Sequence, residues 1–392
     1  MKNGDPSLRE NEERDDSMSE YALLTEEQED LKKMIRTVLT NELAPIVKEY
    51  DEKGEFPMHI YKLLGQLGYW GMDIPAEYGG PGFDAVTLCL LREEFGRVDA
   101  GFSVSFGFKI MMAGGSEEQK HWMADQIINH GKITAMCITE SQGGSDVAVT
   151  KTKAVKQGDE YVISGRKTFI TNGSIADIYI VVASTSPELK GKGLSCFIVE
   201  KDRLGVSCGK EEDKMGIRLS NTSDVIFDDV RIPASNLIGV ENEGFKYVMK
   251  ALEKSRPIAV GPVVGLAQAA LDIAVKYTKE RVVFGKPLCA NQGIRFMLAD
   301  MEMKVEAARS LMLYACSLID EGKPMGPHGS IAKTYASEAA VQVTNDALQL
   351  LGGYGYSREY PIEKMVRDAR VYTIFEGANQ IQRDIIGKML IK

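Results

Sequence analysis

The spacing of apolar residues changes twice along this chain, and each change predicts a different kind of structure. In the first part, apolar residues recur every three or four positions, as Leu31, Met34, Ile35 and Val38 do. That spacing is typical of amphipathic helices. It predicts an N-terminal α-helical domain over residues 21–131.

The second part has the shorter rhythm of β-strands. Between residues 132 and 239, β-branched and aromatic runs alternate with turn-forming residues, as in strands joined by loops. The stretch Gln157-Gly158-Asp159 predicts a hairpin connection. No helix of ordinary length fits between the runs, so an antiparallel β-barrel or sandwich is expected rather than a parallel βαβ sheet.

Helical spacing returns in the third part. Between residues 240 and 392, four long segments carry apolar stripes, which predicts a C-terminal four-helix bundle. Pro257 and Pro262 fall within one apolar stretch and are expected to kink a long helix there. The predicted fold is therefore a multi-domain α+β protein with a helical domain, a middle β domain and a helical bundle.

Charge is concentrated at the start of the chain. The 392 residues have a formal net charge of −9, and most of that excess lies in the first 30 residues. Residues 1–20 have few apolar side chains and are expected to form a disordered acidic tail. The near-neutral remainder argues against binding to nucleic acid.

The expected location is the cytoplasm. The acidic start does not resemble a secretory or mitochondrial signal. The longest apolar run, at residues 257–271, contains prolines and glycines, so we expect a buried helix and no membrane insertion.

Cysteine and histidine usage argues against a metal site and against a hydrolase triad. The six cysteines are scattered without a CxxC pair, and the chain has four histidines, so no zinc spacing is present. The stretch GGSDV ends in Val147 and does not match a nucleophile elbow. Reduced thiols and no bound metal are expected.

Six motifs in a fixed order suggest a family. They are CITESQGGSD, KTFITNG, DKMGIRLSNTSDVIFDDVRIP, RVVFGKPL, LQLLGGYGY and RDARVYTIFEGANQIQR. Together they resemble the acyl-CoA dehydrogenase family from about Leu23 to the C-terminus. The resemblance implies FAD, an acyl-CoA thioester substrate, a 2-enoyl-CoA product, a homotetramer and an electron-transfer flavoprotein as oxidant.

The resemblance assigns the catalytic base to Glu376. In the family, a glutamate in this motif removes the α-proton of the thioester, and its backbone N–H polarises the thioester carbonyl. Ile374 and Phe375 are expected to supply apolar surroundings, and Gly377 to let the substrate approach the backbone. The alternative is a glutamate at the start of a helix, favoured by the helix dipole.

The same resemblance places the flavin ring against two segments. Thr139 would contact the ring, Ser145 would contact FAD or the phosphate end of the substrate, Phe169 would lie against the flavin, and Thr171 would bond to its N5. The full set for this part of the cofactor is Ile138, Thr139, Gly144, Ser145, Phe169, Ile170 and Thr171. The alternatives are an ordinary strand and turn, with Phe169 in the core.

One departure from the family falls in the first of these segments. Ser141 and Gln142 stand where the family usually has a proline and a small residue. Without that proline, the loop is expected to be looser.

A further set is expected to hold the diphosphate and adenine, partly from a neighbouring subunit. A planar guanidinium suits a diphosphate because it bonds two oxygens at once. The alternatives are an arginine at a helix C-terminus and a glycine-rich helix end. No GxGxxG follows a strand, so a Rossmann-type site is not expected. The residues are Arg281, Phe284, Gln292, Gln349, Leu350, Gly352 and Gly353, with Ala378 and Gln380 also assigned to the cofactor.

The expected substrate contacts are Ser145, Glu253, Arg256 and Gly377. Glu253 and Arg256 are one helical turn apart, so they could instead pair with each other at the surface. Four side chains between the N-terminal helices either close a small acyl pocket or belong to the core. They are Phe102, Phe106, Phe108 and Met111.

Three alternatives to a dehydrogenase remain open from the sequence. The same base and hydride path would serve an enoyl-CoA reductase in a complex with an electron-transfer flavoprotein. A flavin monooxygenase or oxidase on the same fold is a second alternative, although such relatives lack this glutamate. A helical scaffold without cofactor is the third.

Overall fold

The computed structural model describes residues 24–105 and 109–391. Helices form the N-terminal part, and two of them begin with capping boxes at Thr25 and Ser116, which satisfy free N–H groups at a helix start. The helices are α1 (Glu26–Val38), α2 (Val47–Lys53), α3 (Met58–Gln66), α4 (Ala85–Val98), α5 (Lys109–Gly114) and α6 (Glu117–Ile128).

The middle part is a single eight-stranded sheet with the order β6-β7-β3-β2-β4-β5-β8, and β1 pairs with β4. Gly158 and Asp159 form the predicted hairpin turn between paired residues Gln157 and Glu160. The strands are β1 (Thr134–Cys137), β2 (Lys153–Gln157), β3 (Glu160–Thr171), β4 (Ile178–Ser184), β5 (Leu194–Glu200), β6 (Val206–Glu211), β7 (Thr222–Pro233) and β8 (Leu237–Ile238).

Not all of the pairing is antiparallel. The β1–β4 and β2–β4 contacts are parallel, because the chain crosses from β1 to the β2–β3 hairpin before it returns as β4. The sheet is therefore predominantly antiparallel, as expected, with two parallel contacts that the sequence did not predict.

The C-terminal part is the predicted bundle with two shorter helices added. A small hairpin, β9 (Val282–Val283) and β10 (Lys286–Pro287), follows its second helix. The helices are α7 (Gly244–Ile258), α8 (Gly261–Glu280), α9 (Gln292–Asp320), α10 (His328–Leu351), α11 (Ile362–Val371) and α12 (Asn379–Leu390). The predicted fold class is confirmed; the domain limits at residues 131 and 239 stay predictions.

The prolines break a helix instead of kinking it. Pro257 lies in the last turn of α7 and Pro262 in the first turn of α8, a position where proline costs no hydrogen bond. The stretch Gly244–Glu280 is long and apolar enough to cross a membrane, but 72% of its apolar window is buried inside the fold. It supplies core helices of the bundle.

The N-terminal and C-terminal helices meet at a close crossing of α4 and α8. A Cβ added at Gly96 would lie 2.0 Å from the Pro262 carbonyl, and one at Gly265 would lie 1.9 Å from the Glu93 carbonyl. Only glycine allows this approach. Arg309 of α9 bonds Glu93 and Gln268 beside it, so the bundle and α4 form one packed unit.

The side chains considered for an acyl pocket divide between the core and an undescribed segment. Phe102 and Met111 are buried in two different apolar clusters, so both belong to the core. Phe106, Phe108 and the acidic tail of residues 1–20 lie outside the described residues. All six cysteines are free thiols, and four of them are buried.

Candidate active site

A tight turn between α11 and α12 carries Glu376. Glu376 and Gly377 have positive φ angles of 54° and 87°. Such backbone costs a non-glycine residue about 1–2 kcal/mol, so the surroundings must hold the turn. Helix α12 begins at Asn379 with Ala378 as its N-cap, so the alternative of a first-turn helix glutamate is wrong.

Side chains from α7, α10 and α12 hold this turn. The Lys333 ammonium donates to the Gly377 carbonyl at 2.9 Å. The Gln382 amide donates to the carbonyls of Glu376 and Gly377 at 3.2 and 3.1 Å. The Ser255 hydroxyl donates to the Glu376 carboxylate at 3.4 Å. The sequence analysis missed these three partners.

The half-buried Glu376 has apolar shelter on one side. The Phe375 ring packs edge-on against Tyr372, with 4.8 Å between ring centres. Ile374 is 58% exposed. The expectation that Ile374 also shelters the carboxylate was therefore wrong, because the turn points it outward.

The facing wall comes from the end of β3. Its pairing with β7 is irregular between Lys167 and Ile170, and Phe169 within this irregularity has a φ of 54°. A bulge re-aims a side chain relative to the regular alternation of a strand. Phe169 is therefore 67% exposed, whereas Ile170 is buried, and the alternative that Phe169 belongs to the core is wrong.

A buried ion pair fixes the loop that follows β1. The Lys167 ammonium lies 2.7 Å from Glu140 Oε1 and 3.1 Å from the Ile138 carbonyl. Burial alone would raise the pKa of Glu140, but the Lys167 charge and several hydrogen bonds lower it to about 2. The Thr168 N–H donates to the Thr139 carbonyl at 2.9 Å. These contacts therefore fix the position of the loop relative to β3.

The departure at Ser141 and Gln142 does not leave this loop untied. The Gln142 amide donates to Glu140 at 2.5 Å and to the Val149 carbonyl at 3.3 Å. These bonds hold the two arms of the loop together, as a proline would by restricting the backbone. The expectation of a looser loop stays a prediction, although these bonds act against it.

One cleft brings the two walls together. It has a volume of about 270 Å³ and lies between the β domain and the bundle. The buried Arg92 of α4 also borders it. The predicted residues that line it are Ile138, Thr139, Gly144, Phe169, Ile170, Thr171, Glu376 and Gly377.

A second cleft collects another predicted group. Its volume is about 560 Å³, and Arg281, Leu350, Gly352 and Gly353 line it. The Arg281 guanidinium lies over the Tyr354 ring at 5.7 Å. Within the described residues of a single chain, this group does not line the cleft of Glu376.

The remaining predicted residues line neither cleft. Phe284 is fully exposed at the tip of the β9–β10 hairpin. Arg256 is half-buried, and its Nε is buried with no hydrogen-bond partner among the described residues. Burial lowers the pKa of Arg256, and the charges of Glu253 and Glu376 oppose that shift. The others are the exposed Ser145, Glu253, Gln292, Gln349 and Gln380 and the half-buried Ala378.

A Gly377→Ala variant should displace the candidate base without removing it. The φ of 87° disfavours alanine, and the new Cβ would lie 2.4 Å from the Gln382 amide nitrogen. We expect turnover to fall by about 10- to 100-fold, because small displacements of a reacting group cost that much. Steady-state kinetics with the FAD and the acyl-CoA substrate that the resemblance implies measures it.

The matched control is Gly387→Ala on α12, where an added Cβ meets no atom within 4 Å. We expect this change to leave turnover unaltered. Equal losses in the two variants would contradict the importance of the turn.

Comparison with known proteins identifies the family of this chain. Three protein-family domains match, the N-terminal, middle and C-terminal domains of acyl-CoA dehydrogenase, at residues 25–130, 135–230 and 242–391. The chain belongs to the acyl-CoA dehydrogenase family. The resemblance inferred from the motifs is thereby confirmed, and the chain is an oxidoreductase of a generally flavin-dependent family that acts on CH–CH bonds.

Individual relatives match over nearly the whole acyl-CoA dehydrogenase chain. A cyclohex-1-ene-1-carbonyl-CoA dehydrogenase of Geobacter metallireducens is 44% identical over 94% of this chain and 99% of its own. The structure of butyryl-CoA dehydrogenase from Megasphaera elsdenii is 40% identical, with a TM-score of 0.91 over 94% of this chain and 99% of that one.

A third match is a chain in a structure that concerns the electron-transferring flavoprotein of Acidaminococcus fermentans and flavin-based electron bifurcation. It is 39% identical, with a TM-score of 0.92 over 95% of this chain and 100% of that one. Acyl-CoA substrates and a link to an electron-transfer flavoprotein are therefore features of the family.

Proposed function

We propose that this chain binds FAD and oxidises the Cα–Cβ bond of an acyl-CoA thioester, with Glu376 as the base. The observation that carries the proposal is the shared cleft. Glu376 lines it from the bundle, and Thr139, Phe169 and Thr171 line it from the β domain. The carboxylate and the residues assigned to the flavin ring thus line the same cleft.

The residues of the cleft fit a flat ring system. Phe169 exposes its ring there, and an aromatic face is suited to stacking. A Cβ added at Gly144 would come no nearer than 3.8 Å to Thr139, so a ligand can approach the loop backbone. A space of about 270 Å³ suits a ring and the head of an acyl chain but not a whole dinucleotide.

The rest of the cofactor therefore needs another surface, and the second cleft supports that role. Gly352 and Gly353 are open there, since an added Cβ would meet no atom within 4 Å. Arg281 beside them offers the donor geometry that a diphosphate takes. In an oligomer, this cleft would complete the site of a neighbouring subunit, together with Phe284, Gln292, Gln349 and Leu350. Ala378 and Gln380 are assigned to the cofactor beside Glu376.

The chemistry separates two hydrogens of the substrate. The Glu376 carboxylate takes the α-proton as a general base, the β-hydrogen leaves with its electron pair, and a Cα=Cβ double bond forms. FAD, when bound, supplies the hydride acceptor at N5. The Glu376 backbone N–H is assigned to the thioester oxygen, where negative charge develops, and Thr171 to N5.

The substrate end is assigned to α7 and to the loop after β1. The buried Arg256 Nε has no hydrogen-bond partner among the described residues, and an unmade bond of this kind is costly unless a ligand completes it. A thioester or phosphate oxygen would do so. Glu253 and Ser145 are exposed and are assigned to the CoA end.

The proposed partners are further copies of the chain and an electron-transfer flavoprotein. Large apolar side chains stand exposed on the bundle and its hairpin, and their burial between subunits would stabilise an oligomer, which supports a homotetramer. They include Val282, Phe284, Phe296 and Met303. The free thiols support a cytoplasmic location.

The reverse reaction is a second candidate. The match to a chain in a structure on electron bifurcation favours it, and the same base and hydride path would serve a reductase of 2-enoyl-CoA. An oxidase is the other alternative, and rapid oxygen consumption by the reduced protein would support it.

A panel of thioesters tests the proposed function. The flavin-loaded protein is mixed without oxygen with acyl-CoA esters of different length, branching and ring content, including butyryl-CoA and cyclohex-1-ene-1-carbonyl-CoA. We expect at least one ester to bleach the flavin and to yield its α,β-unsaturated product. Failure of every ester, or purified protein that contains no FAD, would contradict the proposal.

A further inference from the structure

A buried lysine lies directly beneath the turn of Glu376. Lys333 of α10 is 4% exposed, and it lines a small cavity together with Glu376, Tyr372 and Phe375. Its ammonium donates to the Gly377 carbonyl at 2.9 Å and to Asn379 Oδ1 at 2.8 Å. The lysine therefore touches the residue after the base and the first residue of α12.

The hydrogen bonds of Lys333 do not account for its burial as an ion. Both acceptors are neutral oxygens, whereas buried lysines are usually paired with an opposite charge. Burial lowers the pKa of Lys333 to about 8, the charges of Glu376 and Glu338 oppose that shift, and Arg256 adds to it. A neutral side chain could hold Gly377 at a lower cost. We therefore expect the positive charge of Lys333 to have a second role besides holding the turn.

We propose that Lys333 is a positioning residue for Glu376 that both fixes the turn and keeps the carboxylate ionised once the acyl chain has expelled water. This inference rests on the proposed role of Glu376 as base. A nearby positive charge favours the ionised form of a carboxyl group, and its effect grows as the cleft dries. Lys333 acts through Glu376 and does not touch the reacting atoms.

Other charged side chains near Glu376 and Lys333 also contribute to the electrostatic potential at this site. Helix α4 contributes Arg92 at the cleft wall. Among the charges that act on Arg256 and Lys333 are Glu253 from α7 and Glu338 from α10. Arg383 of α12 pairs with Glu338. Lys333 differs from the other cations because it is hydrogen-bonded to the turn itself.

The test replaces Lys333 with methionine, which has a similar shape and no charge. We expect bound flavin and an almost unchanged KM, but a kcat about tenfold lower. The acid limb of the kcat profile, which reports the enzyme with substrate bound, should move to higher pH by about one unit, because the base loses the charge that favours its ionised form. A purely structural lysine would not move that limb.

Ser330→Ala is the matched control. The Ser330 hydroxyl donates to Gln382 at 2.7 Å, so its loss loosens the same turn without removing a charge. We expect a lower kcat with an unshifted pH profile. Lys333→Gln is the second variant, since it keeps a donor for Gly377, and its acid limb should shift as in Lys333→Met.

An unshifted acid limb in both Lys333 variants would overturn the inference. So would failure of both variants to fold with flavin, because that result would assign Lys333 to stability alone. Glu376→Gln separates the two proposals. If Glu376→Gln is inactive while the Lys333 variants keep the wild-type profile, the inference fails and the proposed function stands. If Glu376→Gln still bleaches fully, the role of the base itself is wrong.

Discussion

Replacing Glu376 with glutamine should leave the flavin bound and yellow in the presence of an acyl-CoA that bleaches the wild-type protein. The amide has nearly the same shape and can still accept the hydrogen bond that Ser255 donates at 3.4 Å. It cannot take a proton from carbon. We expect kcat to fall by about 10²- to 10⁴-fold, the usual contribution of a general base.

Glu376→Asp is the informative companion to this variant. It keeps a carboxylate but withdraws it by one methylene, so we expect a loss of about 10- to 100-fold. Rapid-mixing absorbance measurements without oxygen follow both reactions. A glutamine variant that turns over within tenfold of the wild type would show that another group removes the α-proton.

The second large effect is expected on stability, at a buried charge cluster just before the turn of Glu376. The Lys364 ammonium lies 2.5 Å from both Asp99 and Asp368. Burial alone would lower the pKa of Lys364, but the two carboxylates raise it. The Ile217 N–H donates to Asp368 at 2.5 Å. The cluster therefore joins α4, the β domain and α11.

A Lys364→Met variant leaves two buried carboxylates without their shared cation. We expect the free energy of unfolding to fall by about 3–5 kcal/mol, as when one partner of a buried pair is removed. Urea denaturation of the flavin-loaded protein measures it. The control is Lys388→Met, which removes an ion pair whose partners are 68% and 54% exposed and should cost less than about 1 kcal/mol.

The deficit of Lys364→Met should also depend on pH. Burial and the Asp99 charge raise the pKa of Asp368, and Lys364 opposes them. A carboxyl group with a raised pKa in the folded state binds more protons there than when unfolded, so stability falls as pH rises through that pKa. The deficit should be smallest near pH 4, about the pKa of an unfolded carboxyl group. A pH-independent deficit would contradict this account.

Periodicity was sufficient to predict the three kinds of structure in this chain. Apolar spacing located the long helices and the strand region because those elements bury one continuous face each. It did not reveal that β1 pairs with β4 in parallel, since pairing depends on strands far apart in sequence. It also placed the prolines in one helix, although Pro262 begins a new one.

The sequence predicted those site residues that belong to a motif. It did not predict the features of the site that depend on contacts between distant parts of the chain. Glu376 and Thr171 came from the motifs. The outward turn of Phe169 depends on an irregularity between β3 and β7 that no local pattern shows. The sequence does contain one indication of Lys333. It lies on the same face of the predicted helix as Ala336 and Ala340, and a face of small residues is expected to be buried rather than solvated.

The division of the predicted cofactor residues between two clefts has a physical reason as well. Arg281 and Gly352 are close in the fold because α8 and α10 pack side by side. The turn of Glu376 lies at another part of the bundle. A sequence motif assigns both groups to one cofactor, whereas one described chain shows only where each group lies.

Exchange of the α-hydrogen for deuterium tests the role of Glu376 most directly. The probe is an acyl-CoA whose β-carbon is replaced by sulfur, so that no hydride can leave and only proton removal is observed. In heavy water, the flavin-loaded wild-type protein should exchange the α-hydrogen of this thioester, and Glu376→Gln should do so no faster than buffer. Equal exchange rates in the two proteins would contradict the assignment of Glu376 as the base.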